Sequence, residues 1–206
     1  MLERVKASMV DRATFDRTKQ RHGLYASWAV WATPTDRPKS NIGDMRVLDP
    51  DQNPSLLNIL RSDVIMLGLN VSGRLLPEPL RNFHDPSPMG QDYKIRYAFA
   101  GHAYYGAYMT DFIKEVQMVK STELLRHLRA NPSVVRENVE RLYQECDDLG
   151  CDTPTILTFG ADTYRLVAEA LPRNRCSRLI GLKHYSHYIS KEKYREDVLG
   201  LIASSR

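Results

Sequence analysis

Short apolar segments that alternate with helical patterns constrain the fold of this 206-residue chain more than any other feature. Each segment is bounded by polar residues or glycine, as the buried strands of a parallel sheet are. Strands that alternate with helices along a chain are typical of an α/β fold. The predicted strands span residues 64–69, 107–110, 155–159 and 179–182. We therefore expect an α/β fold with a central four-stranded parallel sheet.

The segments between and after these strands carry helix boundary signals. Asn131 followed by Pro132 predicts a helix start, because asparagine caps helices and proline is tolerated in the first turn. A second helix is expected over residues 162–171, where Pro172 ends it, and Ser190 predicts the start of a third. Apolar residues at helical spacing are predicted to face the core. They are Val135, Val139, Leu142, Tyr143, Cys146, Tyr194, Val198, Leu201 and Ile202.

Residues 1–60 are predicted to form an N-terminal extension packed on a core domain of residues 61–206. An amphipathic helix is expected over residues 2–20, and we predict that Trp28 and Trp31 pack on the sheet. The first residues lack an apolar signal-peptide core, and no apolar run approaches the roughly 18 residues of a membrane span. We therefore expect a soluble, cytoplasmic protein with no membrane partner, which acts as a monomer.

The three cysteines, Cys146, Cys151 and Cys176, are odd in number and lack paired CxxC spacing. This pattern argues against a disulfide framework, a zinc site and an iron–sulfur cluster. We expect three structural thiols, no metal and no cofactor.

Ligands of an open parallel sheet bind beyond the carboxyl ends of its strands, where loops converge and helix N-termini point outward. That rule selects four loops, at residues 68–74, 110–114, 160–163 and 184–190. In the first loop, GLNVSGR, the glycines allow close approach of the backbone, and Asn70 offers both a donor and an acceptor. Asn70 either holds a water or an anion, or bonds its own backbone in a turn.

Three further positions near these loops have two interpretations each. Phe83, in a long proline-rich connection, either stacks on a flat ligand or plugs the loop onto the core. Asp111, predicted to follow the second strand directly, either reads donors on a ligand or caps a turn. A run of cations follows residue 172 and forms either a phosphate-binding surface or a solvated basic face. It comprises Arg173, Arg175, Arg178, Lys183, Lys191, Lys193 and Arg195.

The order of these motifs resembles the uracil-DNA glycosylase superfamily. GLNVSGR follows the first strand, an aromatic residue lies in the next loop, YMTDFIK includes the second strand, and KHYSHYIS follows the last. The family has GxNPG or GQDPY in its first motif and HPSPLS in its last. The resemblance covers residue 63 to the C-terminus and implies a three-layer α/β/α fold and DNA glycosylase activity. Val71, Tyr185 and His187 stand where the family has prolines.

The resemblance also implies roles by position. Asn70 corresponds to the residue that orients the hydrolytic water, His184 to the donor to the departing base, and Phe83 to the ring that stacks on the base. Tyr188 aligns with the wedge that enters the duplex. Gly68 and Leu69 would complete the base-binding site with Asp111. The implied DNA contacts are Ser72, Arg74, Lys183, Ser186, His187, Tyr188 and Lys191.

Asp111 stands where the family usually has an asparagine that reads the pyrimidine edge. An ionised aspartate offers only acceptors, which suits the exocyclic amine of cytosine. We therefore expect a cytosine-like or modified base and not simply uracil. The wider expectation from the resemblance is a damaged or modified pyrimidine, uracil-like or a modified cytosine, in base-excision repair or in defence against phage with modified DNA. Two alternatives stay open. One is a binding protein of the same fold without activity, and the other is a different α/β enzyme that uses His184, His187 and Asp111 as acid, base or metal ligands.

Overall fold

The computed structural model describes residues 10–71 and 78–205, and within them a five-stranded sheet forms the centre. Strands β2 to β5 are parallel to one another, and β1 pairs antiparallel with β3 at one edge. The spatial order is β1-β3-β2-β4-β5. The bounds are β1 Ala26–Trp28, β2 Arg61–Asn70, β3 Ala107–Ile113, β4 Thr155–Phe159 and β5 Arg178–Leu182.

The prediction of an α/β fold is confirmed, but the predicted count of four strands is wrong. The four predicted parallel strands are all present, and β1 adds a fifth from within residues 1–60. Three residues are too few to show the alternation that identifies a strand in a sequence. Strand β3 is also longer than predicted and runs to Ile113. Asp111 therefore lies inside a strand whose residues are all buried, not after it.

Seven α-helices and two short 3-10 helices, Met45–Leu48 and Arg173–Arg175, are found in the described part of the chain. The α-helices are α1 Arg12–His22, α2 Leu56–Ile59, α3 Tyr93–Phe99, α4 Ser121–Ala130, α5 Pro132–Leu149, α6 Ala161–Ala170 and α7 Lys191–Ser204. The three helices predicted between and after the parallel strands are α5, α6 and α7, and they are confirmed to within a residue. The cap of α7 is also confirmed, since the Ser190 side chain accepts from the Lys193 amide. Helix α1 begins later than predicted, after the capping Asp11. Residues 1–9 of the predicted helix lie outside the described residues.

The sheet separates two apolar cores, because alternate residues of β2 point to opposite faces. Ile65 and Leu67 pack in one core with side chains of α1, α4 and α5, while Val64 and Met66 pack in the other with α3 and α7. Trp28 lies in the first core and Trp31 in the second, both almost fully buried. Helices thus cover both faces of the sheet.

A buried ion pair ties the carboxyl end of β3 to α5. The Lys114 Nζ lies 3.0 Å from the Glu145 Oε1, with side-chain exposures of 4% and 0%. The same Nζ donates to the Asp111 carbonyl at 2.9 Å, and the Lys114 amide donates to the Asn138 side chain at 2.9 Å. This network fixes the end of the strand that carries Asp111.

Two further findings concern membrane-spanning helices and the thiols. Among the described helices, none is both long enough and apolar enough to cross a membrane. The three cysteines are all free thiols, with Cys146 buried and the other two partly buried.

We expect Lys114→Met to lower the free energy of unfolding by about 3 kcal/mol or more, because it leaves the Glu145 carboxylate buried without its cationic partner. Replacing both partners, in Lys114→Met/Glu145→Leu, should recover most of the loss. Lys120→Met is the control, because its ion pair with Glu123 is exposed and contributes less than about 1 kcal/mol. Urea unfolding measures all three. A single Lys114 variant as stable as the control would contradict this account.

Candidate functional site

A pocket of about 690 Å³ opens at the carboxyl edge of the parallel strands. Its walls come from the ends of β2 and β3, the connection at residues 81–92, the start of α6 and the loop after β5. This is the edge at which open α/β sheets bind their ligands. The volume lies within the roughly 300–1,000 Å³ that holds drug-sized ligands.

Gly68 forms the floor of the pocket because it has no side chain. It is the direct neighbour of Asp111 across the β2–β3 pair. A Cβ atom at this position would overlap the Asp111 Oδ1 and would lie 3.2 Å from the Phe83 Cζ. The carboxyl group and the aromatic ring therefore occupy the space above a bare backbone. Leu69, the next residue of β2, also lines the pocket.

Asp111 is buried and presents one carboxyl oxygen to the pocket. Its Oδ2 accepts a hydrogen bond of 2.8 Å from the Asn82 Nδ2, which also donates to the Tyr25 carbonyl at 2.7 Å. Because a carbonyl only accepts, the Tyr25 contact fixes which atom of the amide is nitrogen. Among the described residues, no donor bonds the Asp111 Oδ1. Asp111 therefore lines the pocket, and no backbone N–H of the described residues donates to its carboxyl group as a turn cap would require.

The pKa of Asp111 is raised to about 7, chiefly by burial, and the charges of Glu145 and Asp92 act in the same direction. The hydrogen bond from Asn82 and the charge of Lys114 lower the pKa and offset only part of this effect. The carboxyl group is therefore divided between its acid and its anion near neutral pH.

A second buried carboxyl group, Asp92, also lines the pocket. Its Oδ2 accepts from the Asp85 amide at 3.0 Å, and its exposed fraction is 7%. Burial raises its pKa to about 6. Nothing in the local sequence marked Asp92 or Asn82 as site residues, since both lie in a connection without a recognisable motif.

Phe83 holds the connection onto the core and also lines the pocket. Its ring packs at centroid distances of 6.2 Å from Phe159 and 6.4 Å from Tyr185. Its carbonyl accepts from the Trp31 indole at 3.3 Å, and its φ of 62° is a strained value for a residue with a side chain. The hydrophobic plug predicted as one alternative is present, and the ring lines the same pocket that Gly68 opens.

Asn70 is fixed by the loop that follows β3. Its Nδ2 donates to the carbonyls of Val116 at 2.9 Å and Met118 at 3.0 Å, while its contact with the neighbouring Val71 carbonyl is longer, at 3.4 Å. A bond to its own turn is therefore not its main role. Because the nitrogen is committed to carbonyls, the Oδ1 is left as the acceptor at the pocket wall.

His184 is a neutral donor in the pocket wall. Its Nδ1 lies 3.2 Å from the Ser186 amide, which can only donate, so the ring proton resides on Nε2. The Ser186 hydroxyl also contacts Nδ1, at 2.8 Å. Burial, and next the charge of His187, lower the pKa of His184 to about 4. The ring stacks on Tyr185 at a centroid distance of 4.4 Å.

The basic stretch does not form one surface. Arg173, Arg175 and Arg178 precede or begin β5, so they lie at the amino end of the strand, away from the pocket. The other four cations flank the carboxyl end. Most are committed within the protein: Lys183 pairs with Asp197, and Arg195 donates to backbone carbonyls of the α3 region. The cations of this stretch therefore lie at both ends of β5 and not at one end.

The remaining predicted DNA contacts fall into two groups. Ser72 and Arg74 lie outside the described residues. His187 and Ser186 line the pocket, Tyr188 is fully exposed beside them, and the Lys191 ammonium lies 4.7 Å from the centre of the Tyr97 ring. Exposed apolar side chains also gather at the rim. They are Leu24, Met89 and Val119.

Comparisons with protein-family models, with curated proteins and with solved structures returned no match. Within the described ranges, no cluster of three or more histidine, cysteine, aspartate or glutamate side chains is placed to hold a metal ion. The function must therefore be argued from the geometry of the pocket.

Gly68→Ala should destabilise the fold by about 1–3 kcal/mol, because the new methyl group forces Asp111 or Phe83 out of place. Gly200→Ala is the matched control. A Cβ there meets nothing within 4 Å, so alanine in α7 should stabilise by up to about 1 kcal/mol. Thermal and urea unfolding measure both. Equal stability of the Gly68 variant and the wild type would show that the floor of the pocket is not tightly packed.

Proposed function

We propose that this protein is a DNA glycosylase that hydrolyses the N-glycosidic bond of a flipped, damaged or modified pyrimidine. The observation that carries the proposal is that one pocket holds an amide acceptor on Asn70 and a neutral imidazole donor on His184. The aromatic ring of Phe83 and the carboxyl group of Asp111 line the same pocket. The resemblance of the motifs to the uracil-DNA glycosylase superfamily, and helices on both faces of the sheet, support the same assignment.

The reaction needs these two groups at once. As the bond from C1′ to the base nitrogen breaks, its electron pair leaves with the base and positive charge develops on the sugar. The Nε2–H of His184 donates to a ring carbonyl oxygen and stabilises the departing anion. The Oδ1 of Asn70 accepts from a water and aims its oxygen at C1′. The sugar gains the hydroxyl, and the proton released ends on the base.

A neutral histidine is suited to this step. Because its pKa is lowered to about 4, His184 is already the neutral imidazole at neutral pH, and its remaining N–H is shared with the base in a hydrogen bond. The buried position of the pocket strengthens that bond, since low dielectric surroundings strengthen electrostatic interactions. No metal or cofactor takes part in the proposed reaction.

DNA is the proposed partner. A base inside a duplex is inaccessible, so it must be unstacked before it can enter the pocket. Phe83 would stack on the extruded base, and Tyr188, whose side chain is fully exposed, would fill the gap. His187, Ser186 and Lys191 lie beside this loop and would contact the backbone. The monomer in the cytoplasm is the proposed working form.

The pocket favours a modified pyrimidine over uracil alone. Its volume exceeds that of a bare pyrimidine ring, and its far wall carries further polar side chains beyond Asp111. Those polar residues include Arg81, Asp85, Gln91 and Asp92. A substituent on the base would find both space and hydrogen-bond partners there. Such bases arise by damage, which points to repair, and in modified phage DNA, which points to defence.

The direct test is release of the base. Oligonucleotides that carry uracil, mismatched thymine or modified cytosines are incubated with the protein and then treated with alkali, which breaks the strand at abasic sites. We expect Asn70→Ala and His184→Ala each to slow cleavage by about 100-fold or more, since they remove stabilisation specific to the transition state. Asn58→Ala and His127→Ala, which alter the same residue types outside the pocket, should retain activity. Strand binding without any breaks would favour the non-catalytic alternative.

Tyr188→Ala should impair activity on duplex DNA while leaving activity on single strands nearly unchanged. A wedge offsets the few kcal/mol that unstacking costs, and single strands need little unstacking. The side chain packs against nothing, so the fold should keep its stability, which thermal unfolding checks. An equal loss on both substrates would assign Tyr188 a role other than that of a wedge.

A further inference from the structure

The base-reading group of the pocket is a single atom. Of the two carboxyl oxygens of Asp111, Oδ2 is held by the Asn82 amide, and Oδ1 lies above the bare backbone of Gly68. Asn82 cannot rotate freely, because its nitrogen also donates to the Tyr25 carbonyl and its oxygen accepts from the Phe83 amide at 3.1 Å. Since Asn82 occupies Oδ2 as a donor, a proton on this carboxyl group resides on Oδ1.

That proton reverses the hydrogen-bonding sense of the atom. The anion of Asp111 presents an acceptor, whereas the neutral acid presents an O–H donor at the same place. Pyrimidines differ in the matching position: cytosine-type bases carry an amino donor at C4, and uracil-type bases carry a carbonyl acceptor there. Each form of the acid therefore complements one class of base and opposes the other.

The charged and titratable groups around Asp111 keep both forms accessible. Lys114, which directly follows β3, favours the anion, but its charge is largely engaged by Glu145 of α5. Asp92, beside the start of α3, favours the neutral acid. Burial acts in the same direction, and the balance places the pKa of Asp111 at about 7.

We propose that Asp111, positioned by Asn82, selects the pyrimidine through its own proton: the neutral acid admits bases with a carbonyl at C4, and the anion admits bases with an amino group at C4. This inference rests on the proposed glycosylase function. It revises the simple expectation that an aspartate at this position reads only cytosine-type bases. It also makes Asn82 a positioning residue, because Asn82 leaves only one oxygen free.

The test compares 5-hydroxymethyluracil and 5-hydroxymethylcytosine, which differ in the group at C4 and, with it, in whether N3 carries a proton, each placed at one position of the same oligonucleotide. Single-turnover release is measured from about pH 6 to about pH 8, and the ratio of the two rate constants is taken, so that other titrations cancel. We expect the ratio of the cytosine-type to the uracil-type rate to rise with pH, by up to about tenfold per pH unit. A ratio that does not change with pH would overturn the inference.

Two variants separate Asp111 from other groups. In Asp111→Asn, the side-chain carbonyl keeps the bond from Asn82 and the amide nitrogen presents a permanent donor, so the ratio should favour the uracil-type base at every pH. Asp92→Asn removes a negative charge that raises the pKa of Asp111. The pH at which the ratio of the two rate constants reaches a given value should therefore fall. An unaltered pH dependence in Asp111→Asn would also overturn the inference.

Binding to uncleavable substrates separates this inference from the proposed function. A fluorine at the 2′ position of the sugar resists cleavage, because it destabilises the developing positive charge. The ratio of the two dissociation constants should then follow pH as the rate ratio does. If bases are released but the ratio of the two rate constants does not depend on pH, the glycosylase function is kept and the selection by Asp111 is refuted. A pH-dependent binding ratio without release of any base removes the glycosylase and keeps the selection by Asp111.

Discussion

The candidate site depends on the close approach of Asp111 and Phe83 to a position without a side chain. Gly68 and Asp111 are neighbours across two parallel strands and point to the same face, so any larger residue at 68 would fill the space that the carboxyl group needs. From Asp111 the contacts lead outward. Asn82 bonds the carboxyl oxygen, the Tyr25 carbonyl and the Phe83 amide, and so joins the sheet, the segment before β1 and the long connection. The absence of a side chain at Gly68 thereby leaves the space in which three separate parts of the chain meet.

The same strand connects the site to the core. Beyond Asp111, the Lys114 ammonium bonds both the Asp111 carbonyl and the Glu145 carboxylate of α5. A buried charge without a partner is strongly unfavourable, so this end of β3 is held in place by electrostatics as well as by packing. The pocket can therefore keep buried, partly protonated carboxyl groups in fixed positions. Active sites often contain groups with perturbed pKa values, because burial that stabilises the neutral form of a group shifts its pKa towards the value that its chemistry needs.

The sequence predicted much of this arrangement, and the failures have physical causes. Apolar periodicity located the four parallel strands, and the cap at Ser190 and the proline at 132 located two helices, because these signals are local. Strand β1 was missed because three residues carry no period, and the end of β3 was placed too early because a buried aspartate looks like a strand boundary. The edge rule selected the loops that carry Asn70 and His184. Asn82 and Asp92 escaped notice, since their importance arises from contacts with residues distant in the chain. The spread of the basic stretch over both ends of the sheet could not be predicted, because it depends on where β5 lies within it.

The way in which the His184 tautomer is fixed has a consequence for how this loop tolerates sequence change. The group that holds the ring nitrogen as an acceptor is the main-chain N–H of residue 186, at 3.2 Å, and not a side chain alone. Every amino acid except proline supplies that N–H. The chemical identity of the donor in the pocket is therefore encoded in the path of the backbone, and substitutions at position 186 that preserve this path leave it unchanged.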